Sequence, residues 1–217
     1  PLTLEISASD IEIDSLFYNA WSPASLDTLT ITLNENAVTL TPGLNFNGIV
    51  DVFVSVNDGE LSDTTMFILT VTPVNDSPVI ELPENFFFNE DDSLLLNLDE
   101  FIQDVDFDTL TMTVSGNTYI SVEIDGLTAE LSADLNWYGS EVLTFTVNDL
   151  QGRDIDSDSV EIFVNPVNDS PEFTSDPLIE AIEDQLYSYT MTAEDIDIID
   201  ELIFGFTDLP DWLNFDG

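Results

Sequence analysis

Apolar and polar residues alternate in short stretches along this sequence, and no stretch repeats its apolar residues with the period of a helix. Val50, Val52, Val54 and Val56, for example, occupy every second position of one stretch. Alternation with a period of two indicates a β-strand that is buried on one face. Glycine, proline and asparagine separate these stretches, as is typical of turns between short antiparallel strands.

Residues 1–73 contain five such stretches. Leu2, Leu4, Ile6 and Ala8 predict a half-buried strand near the start, and Asn57-Asp58-Gly59 predicts a hairpin turn with Gly59 at positive φ. The strands are predicted at 2–8, 29–33, 37–40, 50–56 and 67–71.

Residues 79–166 predict a complete domain of about seven short strands. Seven strands in about 90 residues indicate an antiparallel β-sandwich of immunoglobulin-like type. The strands are expected near Val79–Leu82, Leu94–Leu98, Leu110–Val114, Tyr119–Ile124, Leu127–Ser132, Glu141–Val147 and Ser159–Val164. The inward-facing residues are expected to be Leu94, Leu96, Leu98, Leu143, Phe145, Val147, Val160, Ile162 and Val164.

One short stretch occurs twice. Val74-Asn75-Asp76-Ser77-Pro78 is repeated letter for letter as Val167-Asn168-Asp169-Ser170-Pro171, 93 residues later, and a proline precedes each copy. Because proline ends a strand and stiffens the chain, both copies are predicted to be linkers between tandem domains. We therefore predict an all-β chain of tandem sandwiches in a linear array. Its parts are an N-terminally truncated sandwich at 1–73, a linker at 74–78, a complete sandwich at 79–166, a linker at 167–171 and a C-terminally truncated sandwich at 172–217. The chain is expected to be a piece of a longer polypeptide.

Charge narrows the choice of partners. The sequence has 45 acidic residues and one basic residue, Arg153, and its formal net charge is −44. Nucleic acid is excluded as a partner because binding it requires basic residues, and anionic membrane surfaces are disfavoured for the same reason. No apolar run has the length of a membrane span, so no direct membrane insertion is expected. The counter-charge must come from cations, since the sequence contains no histidine and no lysine.

The same composition argues against an enzyme. Without histidine or cysteine there is no Ser-His-Asp or Cys-His arrangement, and without lysine no Schiff base. Paired carboxylates could hydrolyse glycosides, but here they are predicted on loops between modules. The absence of cysteine also excludes a disulfide framework.

The linker motif, the Glu90-Asp91 pair and the Asp104-Val105-Asp106 and Asp195-Ile196-Asp197 motifs resemble the cadherin-like tandem repeats of large bacterial surface proteins. Residues 208–216 are similar to the Leu-Pro-x-Trp-Leu-x-Phe signature of dystroglycan-type cadherin-like domains. The resemblance implies calcium between successive sandwiches and roles in adhesion, surface assembly or carbohydrate contact. It implies no enzymatic activity and an extracellular or cell-surface location in a bacterium.

Sandwich topology predicts which acids meet at each linker, because alternate loops lie at the same end of a domain. All the candidates offer the oxygen ligands that calcium prefers. At the first linker the candidates are Asn75, Asp76, Asp104, Asp106 and Asp108; at the second they are Glu90, Asp91, Asn168, Asp169, Asp195 and Asp197. Asn45, Asp134, Asn136 and Asp149 are further candidates.

Three interpretations remain open at this point. The first is a calcium-stiffened structural segment of a long extracellular adhesin or surface fibre, whose partners are calcium and other copies of itself or surface glycans. The second is a carbohydrate-binding accessory module of a secreted polysaccharide-degrading protein, with Phe46, Trp137 and Trp212 as sugar-stacking platforms rather than core aromatics. The third is an acidic halophilic spacer whose carboxylates are only solvated surface.

Overall fold

Short β-strands make up the regular structure, and the described part of the chain contains no α-helix. The structure is a computed structural model that describes residues 1–12, 14–152, 155–197, 201–211 and 213–215. Nowhere in those residues does a helix reach the length and apolar content needed to span a bilayer. The chain divides into two units. The first is Pro1–Ser77 with Asp104–Asp108, and the second is Pro78–Gln103 with Thr109–Gly217.

The first unit contains six strands in two antiparallel sheets. They are β1 Leu2–Glu5, β2 Phe17–Trp21, β3 Leu29–Asn34, β4 Ala37–Pro42, β5 Gly48–Asn57 and β6 Ser62–Val71. One sheet has the order β1-β4-β3 and the other β2-β5-β6. The predicted hairpin turn joins β5 to β6, with Gly59 at a φ of 105°. That prediction is confirmed.

The core of the first unit lies between the facing sides of its two sheets. Its buried residues are Leu29, Val38, Leu40, Val50, Val52 and Val54. The prediction that the strand at 2–8 is half-buried is wrong, because Leu2 and Leu4 are 46% and 36% exposed. Strand β1 pairs only with β4, at the edge of its sheet. Strand β2 was not predicted, since Phe17 and Trp21 point outward and hide the alternation of Tyr18 and Ala20.

The second unit contains the sandwich predicted for residues 79–166. Its strands are β7 Val79–Ile80, β8 Asn85–Asn89, β9 Ser93–Asn97, β10 Ile102–Gln103, β11 Thr111–Ser115, β12 Ile120–Asp125, β13 Thr128–Ala133, β14 Gly139–Asn148, β15 Ile155–Asn165, β16 Glu172–Phe173 and β17 Ala193–Glu194. The main sheets are β11-β14-β15-β8 and β12-β13-β9. Two-stranded ladders join β10 to β7 and β16 to β17. A 3-10 helix, Asp99–Phe101, precedes β10.

The predicted core of this sandwich is confirmed. Eight of its nine residues are buried, with Phe145 and Ile162 at 0% exposure, and Leu94 packs half-buried against the same cluster. The immunoglobulin-like antiparallel sandwich is therefore correct. Strand β8 was missed, because three consecutive phenylalanines conceal a period of two. It pairs in parallel with β15, which no local pattern predicts.

In residues 172–217 the described strands are β16 and β17, which pair with each other. The boundary of a third domain there stays a prediction. The signature at 208–216 includes Trp212 and Asp216, which lie outside the described residues, as does Arg153.

Candidate metal sites

The loop between β10 and β11 folds around the carboxylate of Asp104. The backbone N–H groups of Asp106 and Asp108 donate to Oδ1 of Asp104 at 2.9 and 3.2 Å. Phe107, at a φ of 59°, makes the turn between them. One carboxylate oxygen from each of the three aspartates lies within 4.8 Å of the other two. The sequence spacing Asp-x-Asp-x-Asp thus produces a half-buried cluster of three carboxylates.

The first linker belongs to the same cluster. The N–H of Asp76 donates to Oδ2 of Asp106 at 2.7 Å, and the side-chain amide of Asn75 donates to the carbonyl of Asp76 at 3.3 Å. Oδ2 of Asp104 is buried and has no hydrogen-bond partner. Two carboxylates about 5 Å apart repel by about 3 kcal/mol at an effective dielectric of 20. A cation within the cluster would offset this repulsion.

The second linker repeats three of these hydrogen bonds in its described residues. The N–H of Asp169 donates to Oδ2 of Asp197 at 2.6 Å, and the N–H of Asp197 donates to Oδ1 of Asp195 at 2.9 Å. The side-chain amide of Asn168 donates to the carbonyl of Asp169 at 2.8 Å. Because these hydrogen bonds occur at two separate linkers, the arrangement follows from the shared sequence motif.

Asp169 is half-buried at the second linker. Its Oδ2 is buried without a hydrogen-bond partner. Burial raises the pKa of Asp169 above its ordinary value, and repulsion from Asp91, Asp197 and Asp195 raises the pKa further. That these four carboxylates form one ligand set stays a prediction.

Glu90 and Asp91 contribute in different ways. Glu90 is 2% exposed, and its Oε1 accepts the N–H of Val167 at 2.8 Å, so that it holds the start of the second linker. Its own N–H donates to the carbonyl of Asn165 at 2.9 Å. Asp91 is exposed and adopts a φ of 64°, which turns the chain directly after the buried glutamate.

Two acids at the second linker were not predicted. Glu172 and Glu194 are cross-strand partners in the β16–β17 ladder, and both line a cavity of about 560 Å³ together with Asp169, Asp195 and Asn136. Glu172 follows a linker proline and Glu194 precedes the Asp-x-Asp motif. Their positions next to the motifs could have suggested them as ligands. That they lie side by side follows only from the pairing of β16 with β17.

A Leu-Asn-aromatic-x-Gly motif occurs at 44–48 and again at 135–139, and it makes a tight turn that anchors its aromatic ring. Asn136 has a φ of 56°, and a Cβ at Gly139 would stand 3.1 Å from the ring of Trp137. Trp137 packs against the core and stacks on Tyr119 with 5.1 Å between ring centroids. Phe46 likewise packs against the first core. Phe46 and Trp137 are therefore packing aromatics in this structure.

The Asn-Asp pairs at the last hairpin of each sandwich serve their own turns. Oδ1 of Asp58 accepts the N–H groups of Glu60 and Leu61, both at 2.7 Å. The bond from Leu61, and next that from Glu60, lowers the pKa of Asp58 below its ordinary value. Asp149 is 1% exposed, and its Oδ1 accepts the N–H of Gln151 at 2.8 Å.

Comparison with known proteins agrees with this fold. Residues 75–165 match the family model described as bacterial Ig domain. No curated protein matches the sequence. Human Protocadherin-24 EC1-2 (form II) is 18% identical, with a TM-score of 0.51 over 74% of this chain and 87% of that chain. Drosophila N-cadherin EC1-4 is 19% identical, with a TM-score of 0.50 over 75% of this chain and 44% of that chain.

The chain also resembles part of an endo-fucoidan hydrolase of glycoside hydrolase family 107. The identity is 22% and the TM-score 0.33, over 75% of this chain and 25% of that chain. The chain thus spans about a quarter of that hydrolase, and so low a TM-score supports no inference about function. The family match, the cadherin structures and the two-sheet architecture together show an immunoglobulin-like β-sandwich, and residues 75–165 are similar to the bacterial Ig domain model.

Proposed function

We propose that this chain is a calcium-binding structural segment of a long extracellular protein, such as a bacterial adhesin or surface fibre. The observation that carries the proposal is the recurrence of one bonded arrangement, linker Asp to Asp-x-Asp, at both linkers. Each arrangement also contains a buried carboxylate oxygen without a hydrogen-bond partner, on Asp104 in one and on Asp169 in the other. An immunoglobulin-like repeat with acidic linkers fits a structural module better than a catalytic one.

Calcium is the cation that fits these donors. Carboxylates and carbonyls are hard oxygen ligands, and calcium accepts six to eight of them at about 2.3–2.6 Å in irregular geometry. Magnesium demands a smaller octahedral shell, and zinc favours nitrogen or sulfur ligands, which this histidine- and cysteine-free chain lacks. The first site would use Asp76, Asp104, Asp106 and Asp108 with Asn75. The second would use Asp91, Asp169, Asp195 and Asp197, with Asn168 and Glu90 nearby.

The proposed role of the ion is mechanical. Each linker is a short segment between prolines, and its aspartate N–H already bonds to the following Asp-x-Asp loop. An ion bound by oxygens of the linker and of that loop would restrict the motion of the linker. The carboxylates that repel one another without the ion would become its ligands. A string of modules would then behave as a stiff spacer that presents whatever the rest of the protein carries.

Isothermal titration calorimetry tests this proposal. We expect saturable calcium binding with a dissociation constant on the order of 10⁻⁴–10⁻³ M or tighter, the range of extracellular modules. Asp106→Ala should remove one site, whereas Asp125→Ala, an exposed acid on β12, should leave both unchanged. Weak, non-saturating binding that magnesium reproduces would favour the halophilic spacer instead.

The accessory-module interpretation depends on open aromatic platforms, and Phe46 and Trp137 are packed. The two described aromatics that the sequence offered as sugar platforms therefore do not support it. A polysaccharide pull-down remains its direct test, and saturable binding of a glycan by this chain would support it.

A further inference from the structure

The outer face of the β2-β5-β6 sheet carries a row of large apolar side chains. Trp21, Phe53 and Met66 are cross-strand partners on the three adjacent strands. The rings of Trp21 and Phe53 stack at 5.6 Å with an interplanar angle of 15°. Trp21 and Met66 are 39% and 45% exposed, so the row faces away from the core. Ile49 and Ile68 extend the apolar surface along β5 and β6, at 72% and 59% exposure.

The fold itself does not require this row. In the second unit the equivalent positions of the equivalent strands are Ser115, Thr144 and Ser159, which are also cross-strand partners. There the hydroxyls of Thr144 and Ser159 bond to each other at 2.9 Å. The same sheet is therefore built with a hydrophilic outer row in one repeat and an apolar one in the other. Exposed apolar patches of this kind mark interaction surfaces.

The outer face of the β2-β5-β6 sheet carries few charged residues. Asp51 is the one acid among the outward-facing residues of β2, β5 and β6, in a chain with 45 acidic residues. A basic partner would bind the acidic surfaces elsewhere on the chain, because an uncharged face offers it no electrostatic attraction. An uncharged apolar partner can reach the chain at this face without approaching many carboxylates.

We infer that the outer face of the β2-β5-β6 sheet is a contact surface between two copies of this chain. Two like-charged molecules meet at least electrostatic cost where both are uncharged, and each copy supplies the apolar complement of the other. Strands β5 and β6 have ten residues each and β2 has five, so that the face covers about 400 Å². Since a standard interface uses about 800 Å² per partner, the dimer is weak.

Analytical ultracentrifugation of the whole chain tests the inference, in chelator and about 0.5 M sodium chloride, which screens charge repulsion over a few ångströms. These conditions make the result independent of calcium binding. The wild-type chain should pass from monomer to dimer between micromolar concentration and about 1 mM. The combined variant Trp21→Ser, Phe53→Thr, Met66→Ser, which installs the row of the second unit, should weaken association at least about tenfold.

The matched control is the combined variant Phe87→Ser, Phe163→Thr, which removes the other outward aromatic stack, in the second unit. It should associate as the wild-type chain does. Circular dichroism checks folding, and Met66→Glu provides a single exposed substitution if the combined variant unfolds. A wild-type chain that stays monomeric overturns the inference. So does a β2-β5-β6 variant that dimerises normally, or a control variant that loses the dimer equally.

Discussion

The backbone N–H of Asp76 donates a 2.7 Å hydrogen bond to the carboxylate of Asp106, across 30 positions of sequence. The bond orients a linker residue against the loop between β10 and β11. Because Asp106 uses Oδ2 for this bond, its carboxylate is held in place beside those of Asp104 and Asp108. The cluster is thus preorganised, and a cation that enters it need not order the loop.

The two sites should respond independently to mutation. Asp169→Ala removes a buried carboxylate from the second site, and we expect it to abolish binding there while the first site keeps its affinity. Asp76→Ala should have the reverse effect. The sites share no ligand, and effects at separate positions with no shared partners are additive. Calorimetry of both single variants and the double variant measures this, and strong coupling between the substitutions would contradict two separate sites.

Calcium should change the shape of the protein in solution more than its secondary structure. We expect small-angle scattering of a chain with complete flanking domains to show a longer, narrower particle in calcium than in chelator. The strand signal in circular dichroism should change little, because each sandwich has its own apolar core. Identical scattering in calcium and chelator would mean that the ion does not stiffen the linkers.

Glu141 should stabilise the second unit through its carboxylate. Its oxygens accept the N–H groups of Thr118, Tyr119 and Ile120 at 2.8–3.2 Å. Glu141→Ala leaves these amides without that partner, and hydrogen bonds to charged groups contribute about 1.5–3 kcal/mol. We expect its free energy of unfolding to fall by about that amount, measured by urea denaturation.

Glu123→Ala is the matched control for that experiment. Glu123 is exposed on β12 and lies opposite Glu130, so its removal relieves a like-charge pair. It should leave stability unchanged or slightly higher. Equal losses from the two alanine variants would show that the amide bonds of Glu141 contribute nothing specific.

Asp58 should make the β5–β6 hairpin sensitive to acid. Its pKa is lowered in the folded chain by the N–H groups of Leu61 and Glu60, so its charged form stabilises the turn. That contribution is present above the unfolded value of about 3.9 and is lost as the pH falls through the lower folded pKa. Asp58→Asn should therefore be less stable than wild type at neutral pH and equal to it in strong acid.

Thermal unfolding of both proteins from pH 7 to pH 2 measures the difference. The comparison is necessary because protonation of 45 acids also relieves repulsion throughout the chain. Glu60→Gln, an exposed neighbour, controls for the loss of one charge. If the stability difference between Asp58→Asn and wild type persists unchanged into strong acid, the charge of Asp58 is not its cause.

The sequence by itself determined the all-β class, most of the strands and the inward face of the second sandwich. These follow from the alternation of side chains along each strand, which is a local property. It also predicted candidate metal ligands at both linkers, because the acidic motifs recur at matching positions. Residues such as Phe145 and Ile162 could be assigned to the core since period two places them on one face.

The tertiary structure decided what depends on residues far apart in sequence. The parallel pairing of β8 with β15 and the placement of Glu172 beside Glu194 each join separate segments. Strands β2 and β8 were not predicted because they carry outward-facing aromatic residues. The local pattern cannot distinguish an exposed apolar residue from a buried one. Which carboxylates share a site depends on where loops meet, and packing alone brings them together.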